Sequence, residues 1–153
     1  MTNTHRSVCW SLATLYVFLK MCFWASAFAG DKILAVEVQG LRNDEGQVYC
    51  SLHRVKETFP SDAQNALKAT KVRPKDHQAL CVFEAVEAGE YAVSVFHDEN
   101  GNGKLDTNFL GIPSEGVGAS NDAKGHFGPP HFEDARFKFS GGSVKILIHM
   151  AYL

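Results

Sequence analysis

From Lys32 to Val38 polar and apolar residues alternate, with Leu34, Val36 and Val38 on one side. The polar cluster Arg42-Asn43-Asp44-Glu45-Gly46 then separates this run from the next. Period-2 alternation bounded by turn residues predicts a hairpin. Gln47 to Val55 sets Val48, Cys50 and Leu52 against Gln47, Tyr49, Ser51 and His53, so Cys50 is expected to point into a core. Periodicity lapses from Lys56 to Pro74, where Ser61 is placed to cap a short helical turn through Ala63 and Leu67. Gln78 to Val86 resumes it with Ala79, Cys81 and Phe83 in phase, and Ala88-Gly89 turns the chain into Glu90 to His97. There Tyr91, Val93, Val95 and His97 share a face opposite Ala92, Ser94 and Phe96. Arg136 to Phe139 is a short strand and Gly141-Gly142 a tight turn. Ser143 to Met150 is a final strand with Val144, Ile146, Ile148 and Met150 in phase.

No long amphipathic helical pattern appears. About six or seven short strands with turn signals between them predict an all-β fold, an antiparallel β-sandwich of immunoglobulin-like or transthyretin-like type. One connection breaks the rule that loops are short. From Asp98 to about Asp134 the chain is rich in Gly, Asn, Asp and Phe without a clear period. Phe109, Phe127 and Phe132, with Ile112-Pro113 and Pro129-Pro130, make it too apolar for disorder, so it is expected to be one long ordered loop capping an end of the sandwich.

The first residues differ from all of this. A polar start carrying His5 and Arg6 is followed by apolar runs from Val8 to Leu19 and from Met21 to Phe28, ending Ala27-Phe28-Ala29. This is the pattern of a secretory signal peptide, residues 1–29, leaving 30–153 as a single domain. An uncleaved anchor is the alternative, but Lys20 lies in the middle of the only candidate span, where a charge is costly. Without that segment no membrane span is expected, and the location is periplasmic or secreted.

The 153 residues carry 15 Lys and Arg against 17 Asp and Glu, so no basic surplus exists to bind a phosphate backbone, and nucleic acid is excluded as an expected partner. Of four cysteines, Cys9 and Cys22 fall in the leader, and Cys50 and Cys81 remain. A pair in an oxidising compartment predicts a disulfide, closing a loop of about 30 residues worth about 3–4 kcal/mol in the chain-entropy model.

The sharpest local signal is Asp98-Glu99-Asn100-Gly101-Asn102-Gly103-Lys104-Leu105-Asp106, which reads D-x-N-x-N-G-x-x-D. Oxygen-bearing side chains on alternate residues, then a turn-permitting glycine, suit a hard cation. Asp98, Asn100 and Asn102 would supply side chains, Lys104 its carbonyl, and Asp106 a further ligand. The twelfth position is Phe109 rather than a bidentate glutamate, and a strand precedes the loop, so this is no helix-loop-helix sensor. Glu115 could close the coordination sphere, giving calcium as the candidate cofactor with weak affinity, about 10⁻⁴–10⁻³ M. The competing reading of the same residues is an Asn-Gly turn whose Asp and Asn side chains bond their own backbone.

Other chemistry is thinner. His97, His126 and His131 raise a zinc, copper or general-base role but fit no ligand spacing. Ser114 and Ser120 with His126 can be drawn as a hydrolase set, yet no nucleophile elbow, HExxH pair or phosphate cradle is present.

The run Gly89-Glu90-Tyr91-Ala92-Val93-Ser94-Val95-Phe96-His97-Asp98 and its continuation through Asp106 resembles the signature of a bacterial family known as domain of unknown function 2141. So do Asn108-Phe109-Leu110-Gly111-Ile112-Pro113-Ser114-Glu115-Gly116, Ser120-Asn121, Phe127-Gly128-Pro129-Pro130 and Phe132-Glu133-Asp134-Ala135. Gly40-Leu41-Arg42-Asn43 with Gly46 fits the family's opening. The resemblance spans about Val36 to Tyr152 and implies a small exported β-sandwich without an established activity, so it carries over no catalytic residue.

The functional expectation is therefore an exported, non-enzymatic binding or accessory module braced by calcium in its 98–106 loop, with a glycan, a peptide or an envelope protein as partner. The alternative is a metal- or His/Asp-dependent hydrolase with its site at His97, Asp98 and Glu115.

Overall fold

The computed structural model describes residues 32–125 and 128–153. The leader at 1–29 and the loop residues His126 and Phe127 lie outside the described residues. Among the described residues eight strands form: β1 (Ile33–Gln39), β2 (Gln47–His53), β3 (Lys68–Val72), β4 (Gln78–Phe83), β5 (Gly89–Asp98), β6 (Gly116–Ala119), β7 (Phe137–Phe139) and β8 (Ser143–His149). A 3₁₀ turn at Ser120–Asp122 and a single-turn helix α1 (Phe132–Ala135) complete the elements. Among the described residues no helix is long and apolar enough to cross a membrane.

Two sheets pack face to face, one in the order β4-β1-β8 and one in the order β3-β2-β5-β6, with β7 pairing the start of β5. The inward faces are those the alternation predicts. Leu34, Val36 and Val38 from β1, Val48, Cys50 and Leu52 from β2, Ala79, Cys81 and Phe83 from β4, and Tyr91, Val93 and Val95 from β5 form one buried cluster. Cys50 and Cys81 are joined by a disulfide that ties β2 of one sheet to β4 of the other.

The sandwich is not wholly antiparallel. β8 runs parallel to β1, with Val36 opposite Ile146 and Val38 opposite Ile148. The reason lies in Gly141-Gly142, both at positive φ, which carry the chain from β7 in the second sheet across to the first rather than folding it back on itself. Alternation reports which face of a strand is buried, not which strand lies beside it, so β1 and β2, expected to form a hairpin, stand instead in different sheets. As the edge of its sheet, β8 buries Ile148 fully, while Val144, Ile146 and Met150 are only partly covered.

Two strands replace what the sequence reading left irregular. No helix forms around Ser61. The chain from Arg54 instead turns beneath the sheet and emerges as β3, an edge strand paired with β2 whose Lys-Ala-Thr-Lys-Val sequence has too few apolar residues to announce itself. Inside the long loop, Gly116–Ala119 forms β6 against β5. Its glycines admit close neighbours, since a Cβ on Gly116 would lie 2.6 Å from the Tyr152 ring.

The outer face of the larger sheet is covered at one end. Phe59, Ala92, Ala119 and Ala135 form a second buried cluster with Phe132 and Ala123 packed on it. His53, fully buried, holds this cover in place. Its Nε2–H donates to Ser94 Oγ (2.9 Å), whose hydroxyl donates to the Pro60 carbonyl (2.9 Å), and the Thr58 hydroxyl donates to Nδ1 (3.0 Å). Burial pushes the imidazole down to about 4. Ser120 performs a similar task, accepting from Val93 N–H (2.9 Å) and donating to the Ala135 carbonyl (2.6 Å).

Candidate functional site: the Asp98–Glu115 loop

β5 ends at Asp98, whose side chain is fully buried and turned back under the following turn. Its Oδ1 accepts from Gly101 N–H (2.8 Å) and Asn102 N–H (3.0 Å), and its Oδ2 from Gly103 N–H (2.8 Å). Three backbone donors on one carboxylate fix the turn as firmly as a bound anion would. Two more side chains repeat the device one step along. Asn100 Oδ1 accepts from Asn102 N–H (3.0 Å), and Asn102 Oδ1 accepts from Lys104 N–H (2.8 Å).

The amide groups of those asparagines converge on Asp106. Asn100 Nδ2 donates to Asp106 Oδ2 (2.6 Å), and Asn102 Nδ2 reaches both oxygens at 3.0 and 2.9 Å. Glu115, only 5% exposed, spans the base of the turn: its Oε1 accepts from Glu99 N–H (2.9 Å) and its Oε2 from Asp106 N–H (3.0 Å). Thus Asp98, Asn100, Asn102, Asp106 and Glu115 are brought into one structure, which Lys104 enters through its backbone N–H rather than the carbonyl expected of a ligand. Asp98 and Glu115 are committed to backbone N–H groups, whereas the Asn100, Asn102 and Asp106 head groups meet one another at the surface. Among the described residues no three His, Cys, Asp or Glu side chains are grouped so as to hold a metal. Any cation here would have to draw on the asparagine oxygens.

The hydrolase set does not present itself to a substrate. His97 is fully buried, its Nε2–H donating to the Glu45 carbonyl (2.8 Å) and its Nδ1 accepting from the Tyr152 hydroxyl (3.0 Å). A carbonyl can only accept, which fixes the tautomer. With Asp98 and Glu115 equally engaged, none of the three offers a free acid or base. A cleft of about 830 Å³ lined by Phe59, Pro60, Phe132 and His131 includes none of them. Ser120 is buried and donates to a carbonyl, and so is not poised as a nucleophile.

Residues that sequence reasoning passed over hold the loop to the body. Arg42 pairs with Glu99 (2.7 Å), donates through Nη2 to the Ser114 carbonyl (3.2 Å) and lies over the Tyr152 ring at 4.6 Å. Asn43 Nδ2 also donates to Glu99 (2.7 Å). Burial pushes the Glu99 carboxyl up, but the hydrogen bonds from Arg42 and Asn43 and the guanidinium charge outweigh it and leave Glu99 below the usual range. The Tyr152 hydroxyl accepts from Arg42 N–H (3.0 Å), and burial raises its pKa. Nothing in the local pattern singles out Tyr152, which follows the last alternating run.

Beyond Asp106 the chain makes a finger. Ser114 N–H donates to the Asp106 carbonyl (2.9 Å), Thr107 bridges Pro113, and Asn108 N–H donates to the Ile112 carbonyl (2.8 Å). The tip exposes Phe109 at 94%, Leu110 at 68% and Ile112 at 40%.

No curated protein and no solved structure matches this chain. A family model described as "uncharacterized protein conserved in bacteria" (DUF2141) matches residues 36–147, from β1 into β8 and across the whole 98–115 loop. The chain belongs to that bacterial family of unknown function.

Proposed function

We propose that this chain is an exported, non-enzymatic binding or accessory module that works in the periplasm or outside the cell. Its rigid sandwich presents the Asp98–Glu115 end to a glycan, a peptide or an envelope protein, and calcium braces that end. The observation that carries the reading is the convergence of the Asn100 and Asn102 amides on the Asp106 carboxylate within 2.6–3.0 Å, above a turn that Asp98 already holds. Rotating the two amides would turn their oxygens toward the same point at the cost of the bonds those oxygens accept from the Asn102 and Lys104 N–H groups, and a hard cation would replace the amide N–H groups as the partner of Asp106. Export is supported by the apolar leader pattern and by an inter-sheet disulfide, a bond that persists in oxidising compartments.

Thermal unfolding in millimolar calcium and in chelator tests the calcium reading. The wild-type chain is expected to melt several degrees higher in calcium, in line with stabilisation by a ligand that binds only the folded state. Asp106→Asn should lose that shift while staying folded, because Asp106 contributes side-chain contacts at the surface rather than to the core. An unchanged melting temperature, with no calcium heat in titration calorimetry, would leave the turn self-sufficient and end the calcium reading.

A further inference from the structure

We infer that the two Asn-Gly pairs of the turn, Asn100-Gly101 and Asn102-Gly103, are self-modification sites at which the folded loop drives loss of ammonia from the asparagine side chains. The reaction is an intramolecular amide exchange, in which the backbone nitrogen of each glycine attacks the side-chain carbonyl carbon of the asparagine before it. Glycine permits the approach because it has no Cβ to obstruct it. All four residues are exposed, and a Cβ on Gly101 would meet nothing within 4 Å, so water reaches the turn and ammonia leaves it freely.

Both pairs are equipped alike. The attacking nitrogens donate to the two oxygens of one buried carboxylate, Gly101 N–H to Asp98 Oδ1 (2.8 Å) and Gly103 N–H to Asp98 Oδ2 (2.8 Å), which places Asp98 as the general base for each. The carbonyl oxygens that turn anionic in the attack already accept from backbone donors two residues on, Asn100 Oδ1 from Asn102 N–H (3.0 Å) and Asn102 Oδ1 from Lys104 N–H (2.8 Å). Donors so aimed stabilise a developing oxyanion. The departing nitrogens rest on Asp106 Oδ2, Asn100 Nδ2 at 2.6 Å and Asn102 Nδ2 at 2.9 Å, which keeps either amide from turning out of line. The glycine nitrogen forms its bond to asparagine Cγ and gives its proton to Asp98. The Cγ–Nδ2 bond then breaks, and the nitrogen leaves as ammonia with that proton, relayed through solvent. A water molecule opens the cyclic imide to aspartate, or to its isomer linked through the side-chain carboxyl. The product sets carboxylates against Asp106 where N–H donors stood, and like charges that close repel. The turn therefore opens as the protein ages, so the Asp98–Glu115 end carries a timer. None of this rests on the calcium reading above.

The test is mass spectrometry with peptide mapping of the full chain, purified in the form that expressing cells accumulate. It is incubated at neutral pH in chelator, folded and in guanidinium chloride, beside Asp98→Asn. Folded wild type is expected to convert Asn100 and Asn102 at least tenfold faster than the denatured chain, with the isomerised aspartate among the products. Asn43, Asn65, Asn108 and Asn121, none followed by glycine, should stay intact. Folded Asp98→Asn should fall to the denatured rate. A denatured wild type that reacts as fast as the folded one, or faster, overturns the proposal and makes the turn a shield for its asparagines. So does an Asp98→Asn variant that melts cooperatively and keeps the wild-type rate. If that variant does not fold, the folded-against-denatured comparison of wild type decides alone. Asn100→Asp/Asn102→Asp carries the charges of the product and should melt several degrees below wild type in chelator. Equal melting would overturn the timer, with the reaction judged separately by its rate.

Discussion

Gly46 combines a left-handed backbone with a Cβ position that other backbone atoms already fill. It sits at φ +63°, and a Cβ there would lie 1.8 Å from the Asp98 carbonyl oxygen, a backbone atom of a central strand that cannot step aside. Gly101 sits at φ +74° with open space around it. Alanine at Gly101 should therefore cost only the left-handed strain, about 1 kcal/mol. Alanine at Gly46 must also push β2 from β5 and should leave little folded protein, a contrast that paired urea titrations would show. His53 gives a pH-dependent case. Its folded pKa of about 4 lies below the ordinary 6.5, so the unfolded chain binds the extra proton between those values. Its contribution to stability is complete above pH 6.5 and is lost as the pH falls toward 4, up to a few kcal/mol. Melting curves at pH 7 and pH 5 should show wild type losing more stability than His53→Gln, which titrates nothing in that window. A variant with the same slope would mean that other groups set the acid limit.

Elements were legible wherever large apolar residues alternate against a core. β1, β2, β4 and β5 follow their predicted faces because each is buried between the sheets. Those that escaped notice are edge or glycine-built strands. β3 offers Ala69 and Val72, and β6 offers Val117 between glycines, so neither has the side chains that make a period visible. The motif from Asp98 to Asp106 was equally legible as a turn, since Asx chemistry is local to the sequence. Its attachment through Arg42 and Tyr152 was not, because those contacts span 57 to 110 residues. The Cys50–Cys81 bridge was predicted from compartment and count, and its position gives it more meaning than loop closure alone: it is a strut between sheets. Its sequence separation of 31 places its worth at about 3–4 kcal/mol. Replacing both cysteines with alanine should lower the denaturant midpoint accordingly, and a change below about 1 kcal/mol would show that the unfolded state is already restricted by other means.

At the scale of the whole molecule, the larger sheet, the β1–β2 connection and the root of the Asp98–Glu115 loop meet at the Tyr152 side chain. The Tyr152 hydroxyl donates to His97 on β5 and accepts from Arg42 in the β1–β2 connection, while its ring lies against Gly116 of β6 and under the Arg42 guanidinium. β8 delivers it there, through Met150 N–H donating to the Gln39 carbonyl (2.8 Å) and through the Ala151–Val117 bridge. The parallel return of β8 beside β1 thus closes the sandwich and locks the root of the Asp98–Glu115 loop in one step. Tyr152→Phe keeps the ring and leaves His97 Nδ1 and Arg42 N–H unpaired, a loss of about 1–3 kcal/mol. Tyr152→Ala also empties the space between Gly116 and Arg42 and should cost about 2–4 kcal/mol. The informative readout is where the loosening appears. If Tyr152 bolts the loop to the body, hydrogen exchange in the alanine variant should accelerate first at the Gly101, Asn102 and Gly103 amides that Asp98 holds. The β1 and β4 amides, which bond within their own sheet, should keep their protection until global unfolding. Uniform acceleration across both sheets would show instead that Tyr152 stabilises the sandwich as a whole and that the loop stands on its own hydrogen bonds.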